Sequence, residues 1–148
     1  MREFKGRVIT AGTVSAPAVV SHYGFNTLAS MQKALLLADK KVTVHDQNNP
    51  DLNGKPIGGK ALCLPQTIGS TTGGLVLYCS ASLGRKPACM LFSNTIDSLA
   101  CAGAVLTDVW VGEGTMPVID QLGDEFLNYV KDGMKITIKE NGVVVVED

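Results

Sequence analysis

Between Leu62 and Leu83 an apolar run, a turn of small hydroxylated residues and a second apolar run follow without interruption. The first run stops at Pro65 and reads as a buried strand; the second, Leu75 to Leu83, closes at Gly84 and predicts a helix that needs burial. Ser70, Thr71 and Thr72 stand in succession between them, flanked by Gly69, Gly73 and Gly74. A strand–turn–helix unit aims unpaired backbone N–H groups, and the positive end of the helix dipole, at whatever lies before the helix. The glycines let the backbone approach a ligand closely. Residues 69–73 are therefore a candidate ligand site. A plainer reading stands beside it: one of Ser70, Thr71 and Thr72 is an ordinary helix N-cap.

The rest of the chain supplies a framework for that unit. Arg7–Thr10 and Ala18–Val20 predict strands around a turn near Ser15-Ala16-Pro17, and His22 to Thr27 predicts a loop. Met31, Ala34, Leu35 and Ala38 recur at helical spacing after Ser30, a candidate cap. Val42–Val44 predicts a short strand, and the Asn-, Asp- and Gly-rich segment His45–Lys60 a long surface loop. Pro87–Phe92 predicts a second buried strand, followed by a small-residue helix capped at Asn94 or Thr95, with Asp97 in its first turn. Pro117–Ile119 predicts a strand and Leu122–Val130 a short helix. Asn141-Gly142 between two β-rich runs is the strongest hairpin signal in the chain. Strands at both ends and strand–helix units in the middle imply a layered α/β domain with a C-terminal β-hairpin.

Composition narrows the function. The chain has 148 residues, 45% hydrophobic and 18% charged, which fits one globular domain spanning 1–148. A net charge of −1 argues against a nucleic-acid or membrane-surface partner. No signal peptide and no bilayer-length apolar run are visible, so a cytoplasmic location is expected. Cys63, Cys79, Cys89 and Cys101 form no C-x-x-C pair and sit in apolar runs, so they read as small buried hydrophobes and no metal site is expected on this chain. His22 and His45 read as exposed loop residues, and the carboxylates are scattered. A full catalytic set is missing. As an enzyme, this chain looks like half of one.

At the Ser70 turn the chain resembles the small swivelling domain of aconitase X-type dehydratases. The resemblance rests on Leu64-Pro65 leading into Thr67-Ile68-Gly69-Ser70-Thr71-Thr72-Gly73-Gly74. It is supported by Leu52-Asn53-Gly54 through Gly59-Lys60, by Gly84-Arg85-Lys86-Pro87-Ala88, and by the segment from Asp97 to Gly103-Ala104. It implies a swivelling β/β/α domain that closes over a separate large subunit holding an iron–sulfur cluster. It also implies dehydration of a hydroxy acid: cis-3-hydroxy-L-proline in one branch of the family, 5-phosphomevalonate in the other. By the same resemblance Ser70 is the base that removes a proton, with Gly69, Thr71, Thr72 and Gly73 around the substrate.

The departures are informative. Ile68 stands where many members carry Arg, a bidentate donor suited to phosphate, and this favours a substrate without phosphate, such as cis-3-hydroxy-L-proline. Phosphomevalonate dehydratase, and a non-catalytic ligand-binding subunit of the same fold, are the alternatives. A phosphohistidine carrier is disfavoured because the turn offers serine and no histidine.

Overall fold

The computed structural model describes residues 1–69 and 71–148. The described residues form ten strands: β1 (Arg2–Lys5), β2 (Arg7–Thr10), β3 (Val14–Val20), β4 (Phe25–Asn26), β5 (Ala61–Leu64), β6 (Thr67–Ile68), β7 (Cys89–Phe92), β8 (Val118–Asp120), β9 (Lys135–Ile138) and β10 (Val143–Glu147). Four helices accompany them: α1 (Thr27–Leu36), α2 (Gly73–Ser82), α3 (Ser98–Leu106) and α4 (Asp124–Tyr129). A wide π-type turn, Thr107–Val111, prolongs α3.

Eight strands form one sheet in the order β1-β10-β9-β3-β5-β7-β8-β2. The block β3-β5-β7-β8 is parallel, and the flanking pairs are antiparallel. β5 and β7 read Ala-Leu-Cys-Leu and Cys-Met-Leu-Phe, and every residue of both is buried. Such continuous apolar runs belong to parallel strands covered on both faces. Alternate side chains then enter two cores. Leu62, Leu64, Met90 and Phe92 pack beneath α1–α3, whereas Ala61, Cys63, Cys89 and Leu91 face Phe4, Phe126, Ile136 and Val144. Phe126 brings α4 into this second core and meets Phe4 edge-on, with ring centres 5.4 Å apart.

The two edge strands, β1 and β2, are consecutive in sequence and joined by Gly6 alone, so the sheet nearly closes on itself. Gly6 N donates to Gly142 O at 3.2 Å, extending the pairing of β1 with β10 by one residue. A Cβ at Gly6 would run into the Asp120 carbonyl oxygen and sit 2.8 Å from the Ile119 side chain.

Several local expectations change. Ser15-Ala16-Pro17 is strand, not turn: residues 14–17 of β3 pair with β9, and pairing with β5 starts only at Ala18. Residues 25–27 are not loop, since β4 and the start of α1 occupy them. α1 begins three residues before Ser30, capped by Asn26. Val42–Val44 yields only the isolated bridge Thr43↔Pro56. The caps expected at Asn94 or Thr95 fall instead to Asp97, which precedes the first turn of α3 and is not part of it.

Candidate functional site

The parallel strands β3, β5, β7 and β8 all end on one edge of the sheet, the edge where open α/β sheets bind ligands. At the end of β5, Pro65 turns the chain out and β6 pairs with β4, placing Phe25 opposite Thr67 and Asn26 opposite Ile68. Phe25 N donates to Gln66 O at 2.9 Å. Gly69 then takes φ +99°, and the Asn26 side-chain nitrogen lies 2.5 Å from where a Cβ would stand. Only glycine fits this step of the turn. Ser70 lies outside the described residues. Thr71 and Thr72 are exposed, Thr72 occupies the N-cap position, and Gly73 opens α2.

Three helix N-termini meet at this turn. Asn26 Oδ1 accepts from Ala29 N at 3.1 Å and caps α1. Asp97 Oδ1 accepts from Ala100 N at 3.0 Å and caps α3. The same oxygen accepts from Thr67 Oγ1 at 2.7 Å, tying α3 to β6. Gly73 stands against Thr27 at the start of α1, with its Cβ position 3.8 Å from the Thr27 Cβ. Each helix terminus carries the equivalent of about half a positive charge. The starts of α1 and α2 favour negative charge beside Gly69 and Thr71–Gly73, whereas the Asp97 carboxylate already offsets the dipole of α3.

One glycine does different work from that expected. A Cβ on Gly74 would collide with the Leu99 carbonyl oxygen, and one on Gly103 with the backbone of Gly74. Gly74 therefore lets α2 and α3 touch backbone to backbone, rather than admitting a ligand. Ile68 is 49% exposed and lies over Gly24, and Tyr23 and Leu75, near it in sequence, are exposed as well.

A buried carboxylate supports the α3 side. Asp120 is fully buried and takes Arg7 in a two-pronged pair, Nε to Oδ1 at 2.9 Å and Nη2 to Oδ2 at 2.7 Å. Asp120 Oδ2 also accepts from Ile96 N at 2.9 Å, which fixes the segment just before Asp97. This hydrogen bonding raises the Arg7 pKa above its ordinary value, against a smaller opposing effect of burial. Gln121 follows with φ +58°. Nothing in residue spacing pointed to the Arg7–Asp120 or Thr67–Asp97 pairs, because each joins elements far apart in sequence. Asn26 is a residue type favoured at N-caps, although the apolar periodicity pointed to Ser30 instead.

The remaining sequence candidates lie apart from the turn. His22 and His45 are exposed in loops, as expected. A cleft of about 350 Å³ at the end of β3 is lined by His22, Asp51, Lys55 and Asp132, and by none of the described residues of the turn. Lys55 and Asp132 pair across it, Nζ to Oδ2 at 2.7 Å, and Asp51 Oδ2 accepts from His22 N at 2.8 Å. Cys63 and Cys89 are fully buried, and burial pushes the Cys63 thiol well up and that of Cys89 to about 12. Among the described residues no three His, Cys, Asp or Glu side chains gather as a metal site, and no helix is long and apolar enough to cross a membrane.

A nearly closed mixed sheet, layered with helices and presenting a hydroxyl-rich turn at the parallel strand ends, defines a swivel-type α/β domain. Residues 3–146 match the family model described as the aconitase X swivel domain, and the chain belongs to that family. It is 28% identical over 143 residues to a phosphomevalonate dehydratase small subunit of Methanocaldococcus jannaschii, covering 97% of this chain and 95% of that protein. A protein of the same name from Aeropyrum pernix is 26% identical over 147 residues, covering 97% and 92%. The crystal structure of Thermococcus kodakaraensis aconitase X in its holo form superposes with a TM-score of 0.81, at 24% identity and with full coverage of both chains.

Proposed function

We propose that this chain is the small subunit of a hydro-lyase that dehydrates a hydroxy acid, with residues 69–73 closing over a site completed by a large subunit. The observation that carries this reading is the meeting of three helix N-termini around the hydroxyl turn, on the sheet edge where ligands bind. In this proposal Ser70 removes the proton. A serine hydroxyl is a weak base, and the N–H groups at the start of α2 lower the cost of its alkoxide. Thr71, Thr72 and the backbone at Gly69 and Gly73 orient the substrate carboxylate. The iron–sulfur cluster implied by the family is assigned to the large subunit, since Cys63 and Cys89 lie inside the second core and no three metal-ligating side chains gather among the described residues.

The names of the relatives shift the choice of substrate. Ile68 favours an unphosphorylated hydroxy acid, but relatives matching nearly the whole chain are named for phosphomevalonate. 5-Phosphomevalonate is therefore the first substrate to test, ahead of cis-3-hydroxy-L-proline. The decisive experiment is water release by the reconstituted two-chain enzyme with Ser70→Ala. Loss of turnover with association intact supports a serine base. Undiminished turnover removes Ser70 from the chemistry, and a wild-type complex that binds either acid without dehydrating it makes this a non-catalytic subunit.

A further inference from the structure

A helix that is apolar on every side is normally buried, and α2 and α3 depart from that rule. No Asp, Glu, Lys, Arg or His occurs from Thr71 to Gly84, or from Ser98 to Thr107. Their inner faces supply Leu77, Ala81, Ala100 and Ala104 to the interior. Their outer faces leave Leu75 61%, Leu99 40% and Val105 43% exposed, and the turn beyond α3 leaves Val109 68% and Trp110 66% exposed. The elements adjoin: the Leu99 carbonyl lies against Gly74, the residue before Leu75, and Trp110 of the turn meets Tyr78 of α2 edge-on with ring centres 5.7 Å apart. Exposed apolar area of this extent marks an interaction surface.

We infer that the outer face of α2 and α3, running to Trp110, docks the large subunit of the enzyme proposed above; the inference rests on that reading. Leu75 and Leu99 stand in the first turns of helices whose N-termini border residues 69–73. A chain that completes the hydroxyl turn therefore already lies against one end of this face. A second copy of the chain seated there would set one incomplete site beside another. The lack of charge on the two helices, with Asp108 in the turn beyond them bonded back to Gly114 N, also fits a lasting interface whose centre resembles a protein interior, with Trp110 as an aromatic anchor held in place by Tyr78.

The test uses the full chain and the aconitase X large chain of the same organism, with affinity measured by titration calorimetry. Val105→Glu with Val109→Glu alters two exposed positions outside the hydroxyl turn, so the variant should melt within a few degrees of wild type. The expected result is affinity weakened at least thirtyfold, with water release recovering when the large chain is in excess. Trp110→Ala should weaken binding in the same direction. Unchanged affinity in both variants, beside a wild-type chain that binds, overturns the inference and leaves the proposed function standing. So does a wild-type homodimer that the glutamates convert to monomer with large-chain affinity intact. A wild-type chain that does not bind the large chain removes the proposed function, and this inference with it.

Discussion

Thr67 Oγ1 donates to Asp97 Oδ1 at 2.7 Å, and this one hydrogen bond joins the strand leading into the hydroxyl turn to the cap of α3. Because the same oxygen accepts from Ala100 N at 3.0 Å, Asp97 holds the helix start and the turn in a fixed relation. Asp120 extends the chain of support: its carboxylate binds Ile96 N and Arg7 at once, so β2, β8 and the approach to α3 are locked together. The placing of β6 and of the start of α3 thus depends on two carboxylates that do not belong to the turn.

Replacing Asp97 with Ala should cost about 1–2 kcal/mol through loss of the cap, and Thr67→Val about 1 kcal/mol through loss of its hydrogen bond. The two effects should not add, because both remove the same contact. Urea unfolding of the two single variants and the double variant measures this; strict additivity would mean that the Thr67–Asp97 bond contributes nothing.

Gly103→Ala should destabilise by about 1–3 kcal/mol, since its methyl group has the backbone of Gly74 in its way. Gly73→Ala is the contrast. Its Cβ position meets Thr27 at 3.8 Å, an ordinary contact, and alanine is the better helix former, so stability should hold or rise. Equal thermal shifts for the two variants would contradict the backbone-to-backbone packing of α2 and α3.

Signals carried by one residue and its neighbours were legible in the sequence. Asn141-Gly142 forms its hairpin with Gly142 at φ +82°, and Gly84 ends α2 at φ +72°. Signals that depend on partners were not. Pro17 reads as a turn former, but Ala18 N faces β9, donating to Met134 O at 2.8 Å, so by alternation the missing N–H of Pro17 falls on the opposite side. There β5 has not yet begun to pair, and a proline is tolerated. Ser30 reads as a cap, yet it is fully buried inside α1, because Thr27, Leu28 and Ala29 already continue the helix before it. At the site, the hydroxyls and glycines were visible as a run, whereas the carboxylates that brace it arrive from thirty or more residues away.

The buried thiols give a pH prediction. The Cys89 pKa rises from 9.0 to about 12 and that of Cys63 rises well above 9.0, chiefly by burial. Below the unfolded thiol value both states are protonated and the contribution to stability is full. Between about 9 and 12 the unfolded chain ionises while the folded chain does not, so stability falls as pH rises through that window. Unfolding midpoints should drop from pH 9 to 11 in wild type and drop less in Cys63→Ala with Cys89→Ala, compared with each protein's own value at pH 8. At pH 8 the folded chain should leave Cys63 and Cys89 unalkylated by iodoacetamide over hours, and mass mapping of the modified peptides reads this directly.

Ile68 is the position at which the proposed substrate can be probed from this chain alone. Its side chain lies over Gly24, half exposed, two residues before Ser70 and opposite Asn26 at the cap of α1. A guanidinium placed there would present paired donors toward a site that already favours anions. If the phosphate of 5-phosphomevalonate approaches this side of the turn, Ile68→Arg should lower KM for that acid several-fold and leave kcat nearly unchanged, the mark of added ground-state binding. An unphosphorylated hydroxy acid should gain less. Steady-state kinetics of the two-chain enzyme with both acids separates the cases. A KM that stays fixed for 5-phosphomevalonate places its phosphate away from residue 68, against the large subunit.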